Sequence, residues 1–146
     1  MQAEAAAILR HSRVTVHPDH FTVISISKIL WPIMLADNAL GPRGDAPFMI
    51  FSDETEVTLI LNKTDFENLR DSIEDSRYES GFRLLTFSVE LDFSVVGFIA
   101  EFSRILAEAG VAIFPLASFS RDHCLIYQKD LGTALTALGP YVEELC

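Results

Sequence analysis

An alternation of apolar and polar residues is the clearest pattern in this chain, and it runs over Phe82–Leu91. Every second residue from Leu85 to Leu91 is apolar, whereas the opposite face is mostly polar. A period of two with one polar face is typical of a strand in an antiparallel sheet that is covered on one side. The pattern therefore predicts such a strand here.

A helical pattern follows over Ser94–Ala109. Its apolar residues recur at a spacing close to one helical turn and form one broad stripe opposite a charged face. Asp92 or Ser94 can cap the start of this helix, because a short polar side chain accepts hydrogen bonds from the exposed amides there. Gly110 suits the position just after the last helical residue. One flank carries only small residues and is either a candidate dimer contact or an ordinary exposed flank. The stripe comprises Val95, Phe98, Ile99, Phe102, Ile105, Leu106 and Ala109, and the small flank comprises Ala100, Ser103 and Ala107.

The same order of elements recurs in both halves of the chain. From Phe82 onward the pattern predicts a strand, a helix, a two-strand hairpin and a helix, and the order from Phe21 onward is the same. Such repetition indicates two related β-α-β-β-α units. The other expected elements are strands at Arg13–His17, Phe21–Ser27, Phe48–Phe51, Glu56–Leu61, Val111–Phe119 and Cys124–Gln128, a short helix and acidic linker at Lys63–Ser76, a helix at Asp130–Leu138, a loop at Gly41–Asp45, and a segment, Lys28–Ala39, that can be helical on either side of Pro32.

Composition excludes several classes of partner. The chain has 146 residues, 49% of them hydrophobic, and a formal net charge of −10. It can therefore bury a core, but it lacks the basic balance that nucleic acids and anionic membranes require. Most of the acidic excess lies between Asp53 and Ser80, as either a solvated face or an acidic docking patch. No apolar run approaches the roughly 20 residues of a membrane span.

The N-terminus and the cysteines indicate a cytoplasmic protein. The first residues have neither a basic start nor a long apolar centre, so we expect a disordered or helical tail rather than a secretory signal. Cys124 and Cys146 are the only cysteines, and two cysteines in a chain of this size do not make a disulfide framework. We therefore expect reduced thiols.

None of the residue groups that suggest chemistry predicts a catalytic, metal or cofactor site. His17 and His20 lie in a proline turn without a second pair of ligands. Residues 122–124 place an acid, a base and a thiol side by side, but neighbours on a strand point to opposite faces. Glu90 and Asp92 share a strand face, where acids more often cap or are solvated. No glycine-rich phosphate loop occurs, which argues against nucleotide cofactors.

What remains is a binding geometry at the start of the predicted helix. The backbone amides of residues 94–97 can hold a carboxylate, because unpaired donors and the positive end of the helix dipole point the same way. Gly97 leaves room for a ligand near the first turn. Asp122 or Asp92 can pair with an ammonium group. Together these groups suit a zwitterion such as a free amino acid.

The second half of the chain, Phe82–Leu138, resembles an ACT domain, a β-α-β-β-α-β module that binds amino acids. Leu91–Gly97, Leu106–Phe114, Ala117–His123 and Lys129–Leu131 carry the likeness. The first half fits the same family loosely. The whole chain is similar to small two-unit ACT proteins, to the arginine-sensing CASTOR proteins and to the regulatory part of aspartate kinases.

The resemblance implies an α+β, ferredoxin-like ACT fold of two β-α-β-β-α units, with antiparallel sheets and helices on one face. We expect a flexible tail at residues 1–12, an ACT-like unit at 13–80 and an ACT domain at 81–146. Since no sixth strand is expected after Leu138, Arg13–His17 is a candidate to complete the sheet of the second unit.

In ACT proteins, ligands bind where units meet, at the loop and helix start after the first strand and at the hairpin after the second strand. The resemblance therefore implies a non-catalytic, homodimeric regulator or sensor that binds a free amino acid, uses no cofactor and controls a protein partner. Two alternatives stay open: a ligand-free dimerisation or partner-binding module, and a small enzyme that uses residues 122–124. The implied ligand-binding residues are Asp92, Phe93, Ser94, Val95, Val96, Gly97, Ser118, Phe119 and Asp122.

Overall fold

The computed structural model describes residues 2–36, 46–73 and 76–146. The predicted loop at Gly41–Asp45 and the end of the Lys28–Ala39 segment lie outside these ranges. The element order β-α-β-β-α occurs twice and confirms the α+β, ferredoxin-like class. The helices are α1 (Gln2–Arg10), α2 (Leu30–Leu35), α3 (Lys63–Leu69), α4 (Phe98–Glu108) and α5 (Leu131–Leu138); the strands are β1 (Arg13–Val16), β2 (Phe21–Ser27), β3 (Met49–Ser52), β4 (Glu56–Asn62), β5 (Arg77–Ser88), β6 (Phe114–Ala117), β7 (Asp122–Tyr127) and β8 (Glu144–Leu145); short 3-10 segments lie at Arg70–Ile73, Gln128–Asp130 and Gly139–Tyr141.

The chain divides into two compact units. We call Asp19–Gly81 the central unit, and Met1–Pro18 together with Phe82–Cys146 the terminal unit. The expected division after residue 80 differs from this in one main respect, because residues 13–18 belong with the C-terminal half. Strand β5 contributes residues 77–81 to the central unit and its remainder to the terminal unit.

The sheet of the terminal unit has the strand order β6-β7-β5-β1-β8. β5 is antiparallel to β1 and to β7, with Val14 opposite Phe87 and Val16 opposite Leu85. β1 therefore adds a strand to the sheet of the C-terminal half, as expected for Arg13–His17. The expectation of no strand after α5 is wrong, because β8 pairs in parallel with β1. A strand of two residues is too short to leave a readable pattern in the sequence.

The core of the terminal unit lies between this sheet and its helices. Leu85 and Phe87 are fully buried in one cluster with Phe102 and Leu106 of α4. The Phe87 and Phe102 rings stack with their centroids 4.3 Å apart. Burial of these residues confirms the apolar face predicted for the strand and most of the stripe predicted for the helix, but Ile99 of that stripe is 40% exposed.

Gln2–Arg10 form a helix packed on the core, which is the helical alternative predicted for the N-terminus, whereas the flexible tail expected at residues 1–12 is wrong. Ala5 and Leu9 of α1 are buried, and the helix lies against α4. The Ser12 hydroxyl donates to the Ile8 carbonyl at 2.9 Å and closes the C-terminal end of the helix. The alanine-rich sequence favours a helix locally, but its burial depends on a helix far along the chain, which sequence periodicity does not reveal.

The central unit holds the predicted hairpin of β3 and β4, and β4 also pairs with β2, all antiparallel. Its core cluster combines apolar residues of β2 and β4 with Met34 of α2 and Phe66 of α3. Asn62 caps α3, because its side-chain oxygen accepts from the Asp65 amide at 2.8 Å. Pro32 lies in the first turn of α2, where a missing N–H costs little.

Candidate functional site

The loop between β5 and α4 is shaped by Asp92 and Gly97. The Asp92 carboxylate accepts from the Ser94 amide at 2.8 Å, and the Asp92 carbonyl accepts from the Val95 amide at 3.0 Å. Hydrogen bonds from the Ser94 amide and then from the Ser94 side chain lower the pKa of Asp92. Gly97 then adopts φ +87°, a left-handed conformation that residues other than glycine avoid.

The predicted helix start is therefore wrong. α4 begins at Phe98 instead of Ser94, and the positive φ of Gly97 breaks the apolar periodicity that includes Val95. The first helical hydrogen bond runs from the Glu101 amide to the Gly97 carbonyl at 2.9 Å. Consequently, the unpaired first-turn amides belong to residues 98–100, and no side chain caps them.

The other end of α4 is as predicted. Gly110 has φ +77°, its amide donates to the Ala107 carbonyl, and the Val111 amide donates to the Leu106 carbonyl. These two hydrogen bonds form a Schellman motif. Val111 also packs in the core cluster with Leu106, which fixes the course of the chain into β6.

The hairpin loop between β6 and β7 is a tight turn tied to the first loop. The Ser118 amide donates to the Arg121 carbonyl at 2.9 Å, and the Ser118 hydroxyl donates to the same carbonyl at 3.2 Å. The Leu91 amide donates to the Ser120 carbonyl at 2.7 Å. This last hydrogen bond holds the two loops side by side, as the resemblance to ACT domains implies.

The two loops and the start of α4 enclose a cavity of about 430 Å³, which we call the loop cavity. Its lining also includes Phe98, Ile99 and Arg121, which are not among the predicted site residues. Ser94 and Val96, by contrast, do not line it. The structure thus brings together seven of the predicted residues: Asp92, Phe93, Val95, Gly97, Ser118, Phe119 and Asp122.

The loop cavity contains an unusual carboxylate. Asp122 is only 8% exposed, and among the residues that the structure describes, no hydrogen bond or ion pair reaches its carboxylate. Burial accordingly raises the pKa of Asp122. Burying an anion without a partner costs free energy, so this side chain favours the binding of a cation in the cavity.

Arg121 and two aromatic rings complete the set of recognition groups. No carboxylate in the described ranges pairs with the Arg121 guanidinium, which leaves its fork of donors open for a carboxylate. Phe93 and Phe119 are 78% and 81% exposed, with ring centroids 4.8 Å apart. An exposed aromatic pair at a cavity rim provides an apolar contact for a ligand or a second protein chain.

His123 and Cys124 do not form a catalytic pair. The His123 ring lies between the Thr86 hydroxyl, 2.8 Å from Nδ1, and the Ser118 hydroxyl, 3.0 Å from Nε2. Burial, and then the charge of Arg121, lower the pKa of His123. Cys124 is fully buried, and burial raises the pKa of its thiol to about 12. This thiol is protonated at neutral pH, which argues against the alternative of cysteine catalysis.

Two further features bear on function. Within residues 2–36, 46–73 and 76–146, no group of three or more His, Cys, Asp or Glu side chains is arranged to hold a metal ion. The helices in these ranges are also too short or too polar to cross a membrane.

Comparisons with known proteins show the fold and a family likeness in the C-terminal half of the chain. A family model described as an ACT domain matches residues 77–139, whereas no curated protein matches significantly. A structural-genomics target from Agobacterium tumefaciens superposes with a TM-score of 0.70 at 17% identity, covering 93% of this chain and 92% of that one. A protein of unknown function from Vibrio cholerae, described as a possible transport protein, has a TM-score of 0.68 and 22% identity, with 96% of each chain covered.

A third similar structure is the ligand-free regulatory subunit of aspartate kinase from Thermus thermophilus. Its TM-score is 0.63 at 18% identity, covering 91% of this chain and 98% of that one. The fold of the chain is thus that of aspartate kinase regulatory domains. Residues 77–139 are therefore similar to an ACT domain, and the likeness to the solved structures extends over most of the chain.

Proposed function

We propose that this protein is a non-catalytic regulator or sensor that binds a free amino acid in the loop cavity. The observation that carries the proposal is Asp122, an 8% exposed residue that lines the loop cavity and whose carboxylate has no partner among the described residues. An α-ammonium group would compensate this charge. Breaking a buried, hydrogen-bonded charge pair of this kind costs roughly 2–5 kcal/mol of binding free energy.

The rest of the cavity suits the other groups of an amino acid. A carboxylate can bind the open guanidinium of Arg121 and the uncapped amides of residues 98–100, where the dipole of the 11-residue α4 is positive. The side chain of the ligand would then contact Phe93 and Phe119. The volume of about 430 Å³ is within the usual range for small-molecule sites.

The similar structures support a regulatory role. Several are named as regulatory subunits or regulatory domains of aspartate kinase. On this basis we infer that the protein controls a partner rather than converting a substrate. The similarity to CASTOR-type sensors and a cytoplasmic location stay predictions.

We further propose that two copies form a homodimer around the loop cavity. ACT ligands commonly lie where units meet, and the rim of this cavity carries two large, exposed aromatic rings. A second chain would bury them and close the open side of the site. Light scattering should then show a dimer, and Phe119→Ser should weaken it.

Thermal unfolding with each of the twenty amino acids at millimolar concentration tests the proposal. A ligand at ~100 times its Kd stabilises the folded state by about 2.7 kcal/mol, which raises Tm by several degrees. Asp122→Asn should abolish this response because the amide cannot compensate an ammonium charge. Asp71→Asn, an exposed acid in the central unit, is the matched control and should keep the response.

A ligand-free dimerisation or partner-binding module is the second candidate, favoured by the exposed Phe93–Phe119 pair. It predicts that no amino acid raises Tm, while Phe119→Ser still dissociates the dimer. An amino acid that stabilises the wild type and Asp122→Asn equally would exclude Asp122 as the ammonium partner. A protein that is monomeric with and without ligand would contradict the dimer.

A further inference from the structure

A second cavity, of about 490 Å³, lies within the central unit, and we call it the central cavity. Buried side chains of Phe21, Thr22 and Phe66 line it, and exposed residues such as Lys63 and Arg70 surround them. It is as large as the loop cavity, yet none of the predicted site residues lies in it.

The cations of the central cavity are free to bind a ligand. No ion pair of Lys63 or Arg70 occurs among the described residues, although the chain carries a net charge of −10. Glu67 also lines the cavity, but its carboxylate is not within ion-pair distance of either cation. The His20 ring adds a further polar group. Unpaired cations gathered in one concavity of an acidic protein favour an anion.

Arg70 is positioned by uncharged groups, so no anion neutralises its guanidinium among the described residues. Its Nη2 donates to the Tyr78 hydroxyl at 3.2 Å, and its guanidinium carbon lies 6.0 Å from the Phe66 ring centroid and 5.8 Å from that of Tyr78. The two rings are themselves 4.8 Å apart. Contact with aromatic faces leaves the remaining N–H donors of the guanidinium available for oxygen atoms.

Hydroxyl groups complete the polar side of the cavity. Thr22 and Ser80 hydroxyls lie 3.0 Å apart, and one of the two can donate to a ligand while accepting from the other. The Lys63 amide, by contrast, already donates to the His20 carbonyl at 2.9 Å. Recognition would therefore use side chains rather than the backbone at the start of α3.

We propose that the central cavity binds an organic phosphate monoester that carries a planar ring. Lys63 and Arg70 would hold the phosphate oxygens, with Thr22 and Ser80 as hydroxyl partners, and the ring would lie against the exposed part of Tyr78. Arginine and lysine together with hydroxyl groups form a donor set typical of phosphate sites. This ligand differs in charge and in location from the amino acid proposed for the loop cavity, so each proposal can fail without the other.

Nuclear magnetic resonance titration of the full chain with phenyl phosphate tests the proposal. Amide shifts should concentrate at residues 20–22, 63–70 and 78–81 and should be absent from residues 91–122. Inorganic phosphate should bind more weakly because it lacks the ring, and phenol should not bind because it lacks the charge. Raising the salt concentration should weaken the binding of phenyl phosphate.

Substitution of the cations provides the decisive comparison. Lys63→Gln and Arg70→Gln should each weaken binding roughly tenfold, the effect of losing one charge-assisted hydrogen bond. Arg77→Gln is the matched control, since Arg77 is an exposed cation of the same unit outside the cavity, and it should bind as the wild type does.

The Lys63 side chain is exposed, so its substitution leaves the fold intact even where Arg70→Gln does not. Equal losses in Lys63→Gln and Arg77→Gln would overturn the proposal. So would shifts spread over all surface cations, or equal affinities for phenyl phosphate and inorganic phosphate.

Discussion

Replacement of Asp122 by Asn should stabilise the free protein at neutral pH while abolishing its response to an amino acid. The carboxylate is 8% exposed and without a partner among the described residues, and burial raises its pKa. Asn has nearly the same shape and carries no charge. The substitution therefore removes a desolvation cost from the folded state and removes the proposed ammonium partner at the same time.

The size of the effect follows from the burial of the charge. An uncompensated buried polar group costs about 1–3 kcal/mol. Because Asp122 borders a cavity, we expect the lower end, about 1 kcal/mol. With a denaturant slope of about 2 kcal/mol per molar urea, the unfolding midpoint of Asp122→Asn should rise by roughly 0.5 M at pH 7.

The pH dependence of unfolding predicts the sign of this stability change independently. The pKa of Asp122 is higher in the folded than in the unfolded protein, so its contribution to stability is fully present below the unfolded pKa of about 3.9 and is lost as pH rises through the folded value. The advantage of Asp122→Asn should therefore be largest at neutral pH and disappear in acid. Asp92→Asn is the opposite control, because hydrogen bonds lower the pKa of Asp92, and its stabilising effect is lost as pH falls.

Urea unfolding of both variants at neutral and acidic pH measures these differences. A neutral-pH destabilisation of Asp122→Asn that vanishes in acid would refute the reasoning, since it would mean that the carboxylate is compensated in the folded state. An unchanged midpoint at both pH values would show that the cavity hydrates the charge fully.

Four further outcomes are expected. Gly97→Ala should lower the free energy of unfolding by about 1–2 kcal/mol, because alanine avoids φ +87°, and urea unfolding against a Gly97→Asn variant, which should lose less, checks this. Asn62→Ala should cost about 1 kcal/mol through loss of the α3 cap, whereas Asn62→Asp should restore most of it in the same assay. Leu9→Ala should cost roughly 2–5 kcal/mol because the side chain is buried in the core; a midpoint equal to that of the wild type would mean that α1 is not packed. In thiol titration, the exposed Cys146 should react in the native protein and the buried Cys124 only after unfolding.

The order of elements was predictable from the sequence because apolar residues recur with a period of about two in a strand and 3.6 in a helix. The alternation after Phe82 and the stripe along α4 both reflect one buried face. The periodicity does not reveal where an element packs when distant parts of the chain determine its location. The packing of α1, the two-residue β8 and the pairing of β1 with β5 all depend on partners remote in sequence.

The candidate site was predictable to a similar extent. The two loops stand out by their turn residues and by the family resemblance, and the hydrogen bond from Leu91 to Ser120 brings them together. The free amides at the helix start belong to residues 98–100 and not to the predicted residues 94–97. This difference was not predictable, because the apolar stripe does not reveal the backbone conformation of Gly97. Arg121 was missed since a lone cation in a turn acquires meaning only beside the buried carboxylate of Asp122.

The parallel pairing of Arg13 with Glu144 has a consequence for how the protein is made. The central unit is continuous in sequence and can fold as soon as its own residues have left the ribosome, since domains generally fold as units during synthesis. The terminal unit combines residues from both sides of the central unit, and the edge of β1 that pairs with β8 stays unpaired until residues 144–145 have been synthesised. Such long sequence separation slows folding, so the nascent chain carries an exposed strand edge while the residues between Val16 and Glu144 are synthesised.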